Sequence, residues 1–182
     1  SSVNLSTQQG NITVGGEMAS KSTVNLSVGT GDITVQGITA DSDVNIAVQN
    51  GNIEMHDVNS AGDVTVQNTE MGSINGTNIV AAGTTHVALT RGDLFLNLAE
   101  GKAVLVKMED NTEASQVDKI LAEASGGAGP DVVLTGNYIQ IGSLTAKEGD
   151  AVFQLTAMGP NNQRLIGGNF AVESLSAKNG TQ

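Results

Sequence analysis

Three sets of residues have the types and spacing to do chemistry. Arg91-Gly92-Asp93 spells the tripeptide that matrix proteins present to integrins. Gly126-Gly127-Ala128-Gly129-Pro130-Asp131-Val132-Val133-Leu134 fits the calcium nonapeptide GGxGxDxUx at every fixed position. Asp32 and Asp93 are outward acids at equivalent places, the nearest approach to an acid–base pair, and His56 and His86 are the only imidazoles. The chain has no Cys, so thiolate ligands and thiol nucleophiles are absent. What each set can do depends on the elements that position it.

Those elements are repeats. A Gly, a short polar residue and an aliphatic one recur as Gly10-Asn11-Ile12, Gly31-Asp32-Ile33, Gly51-Asn52-Ile53, Gly72-Ser73-Ile74 and Gly92-Asp93-Leu94, in steps of 20 or 21 residues. Two residues further on stand Val14, Val35, Met55, Gly76 and Leu96. Upstream, Val3/Leu5, Val24/Leu26, Val44/Ile46 and Val64/Val66 keep one register; downstream, Met18, Ile38, Val58, Ile79 and Leu98 form a third column. The pattern predicts three short segments per repeat, each alternating with period 2, as strands with one buried face do. Segments this brief bury little alone. Stacked coil on coil they make an all-β, parallel β-helix, and right-handed winding is the expected hand. Gly76 predicts a thin spot in its coil. Asn4, Asn25, Asn45, Thr65 and His86 form an outward column in which neighbouring amides can hydrogen-bond.

Composition agrees. The 182 residues include 23 Gly, 2 Pro and no Trp, with only 3 Phe and 1 Tyr, so aliphatic side chains must fill the core. A net charge of −11 opposes nucleic acid and anionic membrane surfaces as partners. No apolar run approaches the roughly 18–20 residues of a spanning helix. No cofactor is expected.

The chain reads as a single segment, 1–182, of a longer protein. Regular coils occupy 1–102, and longer coils with insertions at about 109–131 and 158–165 occupy 103–182. A 31-residue repeat relates Gly136, Ile139, Ile141, Ser143, Leu144, Ala146, Lys147 and Gly149 to Gly167, Phe170, Val172, Ser174, Leu175, Ala177, Lys178 and Gly180. Ala103-Val104-Leu105-Val106 resembles Ala151-Val152-Phe153-Gln154. Both insertions are placed after the first strand of a coil. In the first, Asn111 or Thr112 could cap a short amphipathic α-helix with Ala114, Val117, Leu121 and Ala124 on its apolar face, ended by Gly126-Gly127.

Within this frame the triplet Arg91-Gly92-Asp93 loses its message. Gly31-Asp32 occupies the same place, and the turn leads straight into a strand instead of protruding. Arg91 is expected to pair with Glu109, Asp110 or Glu113. The nonapeptide occurs once, whereas such sites need tandem copies; a helix C-cap and a strand start explain its residues. Asn4, Asn11, Asn25, Asn75 and Asn179 head glycosylation triplets, which arise freely in a chain so rich in Asn, Ser and Thr. Phe95 alternates with inward Leu94 and Leu96, so it faces outward in a column of Thr13, Thr34, Glu54 and Asn75. Cover by the inserted helix is expected there; an exposed ring for a sugar or a partner protein is the sharper reading. Candidate binding residues are therefore Arg91, Asp93 and Phe95, with no catalytic or metal site.

The V-N-L/I-x-V…G-N/D-I-T-V pattern resembles the filamentous haemagglutinin-like exoproteins of bacterial two-partner secretion. It is similar to the shafts of those adhesins, of contact-dependent inhibition toxins and of large fusobacterial leukotoxins. The resemblance implies a non-enzymatic shaft segment, extracellular or on the bacterial cell surface, bearing a virulence function. Its implied partners are neighbouring segments of the same polypeptide and a host-cell receptor or glycan reached through the insertions. The alternatives are a carbohydrate-active β-helix module, akin to pectate lyases, and a receptor-binding toxin segment.

Overall fold

The computed structural model describes residues 1–112, 114–123, 130–155 and 169–177. Two parallel eight-stranded sheets face each other across one core. The first sheet stacks β1 (Val3–Gln9), β3 (Val24–Thr30), β5 (Val44–Asn50), β7 (Val64–Met71), β9 (Thr84–Arg91), β11 (Ala103–Asp110), β13 (Val132–Gly136) and β15 (Ala151–Leu155). The second stacks β2 (Ile12–Ser20), β4 (Ile33–Ala40), β6 (Ile53–Ser60), β8 (Ile74–Ala81), β10 (Leu94–Gly101), β12 (Gln116–Ala122), β14 (Tyr138–Ala146) and β16 (Asn169–Ala177). Each strand pairs with its equivalent one coil away, so the chain is a parallel β-solenoid.

The aliphatic columns are the core. Val24, Val44 and Val64 stack in register, as do Leu26, Ile46 and Val66, and all are essentially inaccessible to solvent. Burying each such side chain stabilises the fold by about 1.5–3 kcal/mol before the entropy of ordering is set against it. No helix occurs among the described residues.

The predicted second and third segments are one strand with a corner in it. In β4, Val35 and Ile38 point inward while Gln36 and Gly37 between them do not. Pairing skips one residue at this corner in successive coils: Gln36 opposite His56, then Thr77, then Asn97. The corner also explains two displaced assignments. Leu98 pairs with Asn78 and is half-buried, and it is Ala99 that continues the column of Met18, Ile38, Val58 and Ile79. The expected inserted helix is β12, whose Val117, Ile120 and Ala122 are buried in the pattern that β6 shows at Met55, Val58 and Ser60. Of the expected apolar face only Val117 is buried in this strand; Leu121 is half-buried, and Ile120, which is not on that face, takes the inward place after the corner.

The extra residues of that coil therefore fall after both of its strands: Asp110 to Gln116 spans two residues more than Arg91 to Phe95, and Ala122 to Val132 seven more than Gly101 to Val104. The second predicted insertion, 158–165, lies outside the described residues, as do Ala124 and Gly126–Gly129. The 31-residue repeat holds wherever it is described: Ile139, Ile141, Ser143, Leu144 and Ala146 pair with Phe170, Val172, Ser174, Leu175 and Ala177. The match of Ala103 to Ala151 is off by one. Val104 stands over Val132 and Val132 over Ala151, which keeps Val106 and Phe153 on the inward side. Gly76 leaves no thin spot, because Leu96 Cδ2 and Met55 Cε lie 2.6 and 3.0 Å from where its Cβ would be.

Candidate binding surface

Arg91, Asp93 and Phe95 alternate along the joint between β9 and β10, and the joint gives each a different fate. At its centre is a stack of glycines with φ between 102° and 144°. The φ is one that side-chain-bearing residues rarely adopt, and the packing forbids them outright at Gly92, whose Cβ would lie 2.2 Å from the Gly72 carbonyl oxygen. Gly72 N–H donates to the Arg91 carbonyl, and Gly92 N–H to the Asp110 carbonyl. The tripeptide backbone is thus bonded to the coils on both sides.

The residue after each glycine completes the joint. The N–H of Asp32 donates to Asn11 Oδ1 at 2.8 Å, that of Asn52 to Asp32 Oδ1 at 2.7 Å and that of Ser73 to Asn52 Oδ1 at 2.9 Å. The N–H of Asp93 donates to Ser73 Oγ at 3.2 Å, and that of Thr112 to Asp93 Oδ1 at 2.8 Å. One side-chain oxygen per coil therefore accepts the backbone N–H of the next. Asp32 and Asp93 are members of this ladder and do not meet.

Asp93 is held more firmly than its equivalents. It also accepts from the hydroxyls of Thr112, at 3.0 Å, and Ser115, at 2.9 Å. Ser115 is fully buried and contacts Asn111 at 3.2 Å, whose Oδ1 accepts the N–H of Asn137 at 2.9 Å. This polar network replaces the glycine joint where the regular coils end. Asn111 and Thr112, expected to cap a helix, belong to it. Arg91 reaches Asp110 at 3.3 Å, as an exposed pair; Glu109 pairs instead with Lys107 at 2.9 Å, and Glu113 lies outside the described residues.

The outward Asn column is bonded as well. Asn25 Nδ2 donates to Asn4 Oδ1 at 2.6 Å, and Asn45 Nδ2 to Asn25 Oδ1 at 2.9 Å. Three of the glycosylation triplets thus begin at residues of the two ladders, Asn4, Asn11 and Asn25. Asn75 is exposed on the outer face, and Asn179 lies outside the described residues. At the opposite turn, Asp43 Oδ1 accepts the N–H of Asp63 at 2.9 Å and Asp63 Oδ1 that of Thr84 at 2.7 Å.

Phe95 is different. No helix among the described residues covers it, and 37% of it is exposed, with Gln116 beside it in the next coil and Asn75 in the previous one. It lines a shallow groove of about 280 Å³ with Glu54, His56, Asn75, Thr77 and Asn97. Two outward columns, Glu54–Asn75–Phe95 and His56–Thr77–Asn97, form its walls. The structure thus separates the three candidate residues: Asp93 secures the coil joint, Arg91 makes an exposed ion pair beside it, and Phe95 lines the groove.

Two features are not evident from the sequence reading. Ser20, Ala40, Ser60 and Ala81 form a buried column of small residues where the chain turns into the next coil. Ser60 Oγ donates there to the Ser42 carbonyl at 2.6 Å and accepts the Gly62 N–H at 3.0 Å. The recurrence of Ala or Ser every 20–21 residues is the signal that marks this column. Asn68 takes the inward place of Val28 and Val48 and is 1% exposed, its Nδ2 donating to the Gly51 carbonyl at 2.6 Å. Among the described residues no three His, Cys, Asp or Glu side chains are grouped to hold a metal ion.

Comparison with known protein families, with curated proteins and with solved structures gives no match.

Proposed function

We propose that this chain is a structural shaft segment of a secreted or surface-tethered bacterial exoprotein, without enzymatic activity, of the kind its repeat resembles. The observation that carries this reading is the continuity of the joint ladder from Asn11 to Thr112 across the regular coils. A ladder of this kind serves length: each added coil satisfies the backbone of the one before it. This ladder and its counterpart at the opposite turn also occupy outward acids, since Asp32, Asp43, Asp63 and Asp93 all accept backbone N–H groups. Among the described residues the strands at either end of each sheet pair on one side only, and Leu5 and Leu175 on them are exposed.

The second reading is a carbohydrate-active module, favoured by the groove that brings Glu54 and His56 together on the outer face. The two separate in one assay: incubation of the chain with acidic and neutral polysaccharides, followed for new reducing ends and unsaturated uronate products. A shaft yields none. Products that disappear on Glu54→Gln substitution would transfer the assignment to the module.

A further inference from the structure

We propose that the outer-face groove around Phe95 is a binding site for uncharged oligosaccharides, with the Phe95 ring as its stacking platform. Phe95 departs from its column, in which the equivalent residues of the preceding coils are Thr13, Thr34, Glu54 and Asn75. Its ring is no part of the core: the other two Phe residues, Phe153 and Phe170, pack on each other 5.6 Å apart at the last coils, whereas Phe95 lies on the outer face, partly exposed.

The surroundings define the ligand class. Asn75 and Asn97 each offer a donor and an acceptor, Thr77 a hydroxyl and His56 a ring nitrogen. An apolar flat surface ringed by groups that both give and take hydrogen bonds matches a pyranose, which has apolar C–H faces and a rim of hydroxyls. An apolar peptide side chain would leave those groups unpaired. Sulfated and uronic sugars are disfavoured by Glu54 in the groove wall and by the net charge of −11. The platform is also rigid. Phe95 sits between coils to which its backbone is paired on both sides, so little ordering is required on binding. Neighbouring groups along the stack are about 4.8 Å apart, so an extended chain can run across several coils.

The site needs no part of the shaft reading, and its test is separate. The chain has three Phe, one Tyr and no Trp, so the Phe95 ring protons are readily resolved by NMR. The probes are tetrasaccharides of glucose, galactose and N-acetylglucosamine, with a sulfated heparin tetrasaccharide as the anionic comparison. The variant is Phe95→Thr, which installs the residue present at Thr13 and Thr34 and preserves the coil. At least one neutral tetrasaccharide is expected to shift the Phe95 ring resonances. Phe95→Thr is expected to weaken that binding at least about tenfold while leaving the melting temperature unchanged. The heparin fragment is expected to bind more weakly than the neutral probe. Three outcomes would overturn the site: unmoved Phe95 resonances with every neutral probe, binding that survives Phe95→Thr, or tighter binding of the sulfated probe. Cleavage of the bound sugar would leave the site standing and remove the non-enzymatic assignment instead.

Discussion

The carboxylate of Asp93 accepts the backbone N–H of Thr112, one coil away, at 2.8 Å. This contact ties the tripeptide containing Asp93 into the coil joint. Asp93 accepts from Thr112 through both backbone and hydroxyl, and from buried Ser115. Asp93→Asn keeps the accepting oxygen that Asn11 and Asn52 supply in the same ladder, so it should cost less than about 1 kcal/mol. Asp93→Ala leaves Ser115 without its acceptor and should cost about 2–3 kcal/mol. Denaturant unfolding of both variants measures the difference, and equal losses would contradict the ladder.

The stacked glycines should not be equivalent. Gly10 has φ 102° but nothing within 4 Å of the position a Cβ would take, whereas at Gly51 that carbon would lie 2.0 Å from the Gly31 carbonyl oxygen. Gly10→Ala should cost only its backbone strain, about 1–2 kcal/mol. Gly51→Ala must separate two coils and should reduce stability several-fold more, read as the shift in thermal midpoint.

Asn68 is a polar side chain in an aliphatic column. Val48 fills the same place one coil earlier, so Asn68→Val fits the local backbone. The buried Oδ1 of Asn68 has no hydrogen-bond partner, and removing it should be neutral or stabilising by about 1 kcal/mol. A lower thermal midpoint for this variant would show that the Asn68–Gly51 bond outweighs that penalty.

The Arg91–Asp110 pair is exposed on both sides. Exposed pairs contribute about 0–1 kcal/mol and are screened by salt. Arg91→Ala should therefore change unfolding free energy by less than about 0.5 kcal/mol, with the difference vanishing at high salt.

Much of this fold is legible in the sequence, for a physical reason. A solenoid places equivalent residues over one another, so each inward column becomes a string at constant spacing, as at Val24, Val44 and Val64. The Asn4–Asn25–Asn45 ladder and the Arg91–Asp110 pair follow from the same register. Errors arise where the register changes phase. The corner turns Ile120 inward beside Val117 where a helical face would use Leu121, and it puts Ala99 in the place that strict alternation assigns to Leu98. The Asn111–Ser115 network is not readable because it joins residues 26 apart through a turn that has no repeat equivalent.

The exposure of Phe95 is half legible. Alternation gives its direction, but its cover depends on a segment that imitates a helix and folds as a strand.

If the coil is an interchangeable unit of length, one can be removed without loss of the fold. Deletion of residues 44–63 joins Asp43 to Val64, which already stands in register with Val44. Circular dichroism and small-angle X-ray scattering should show a folded β protein shortened by about 4.8 Å, with a modest loss of stability. Collapse of the fold, or an unchanged length, would contradict the account.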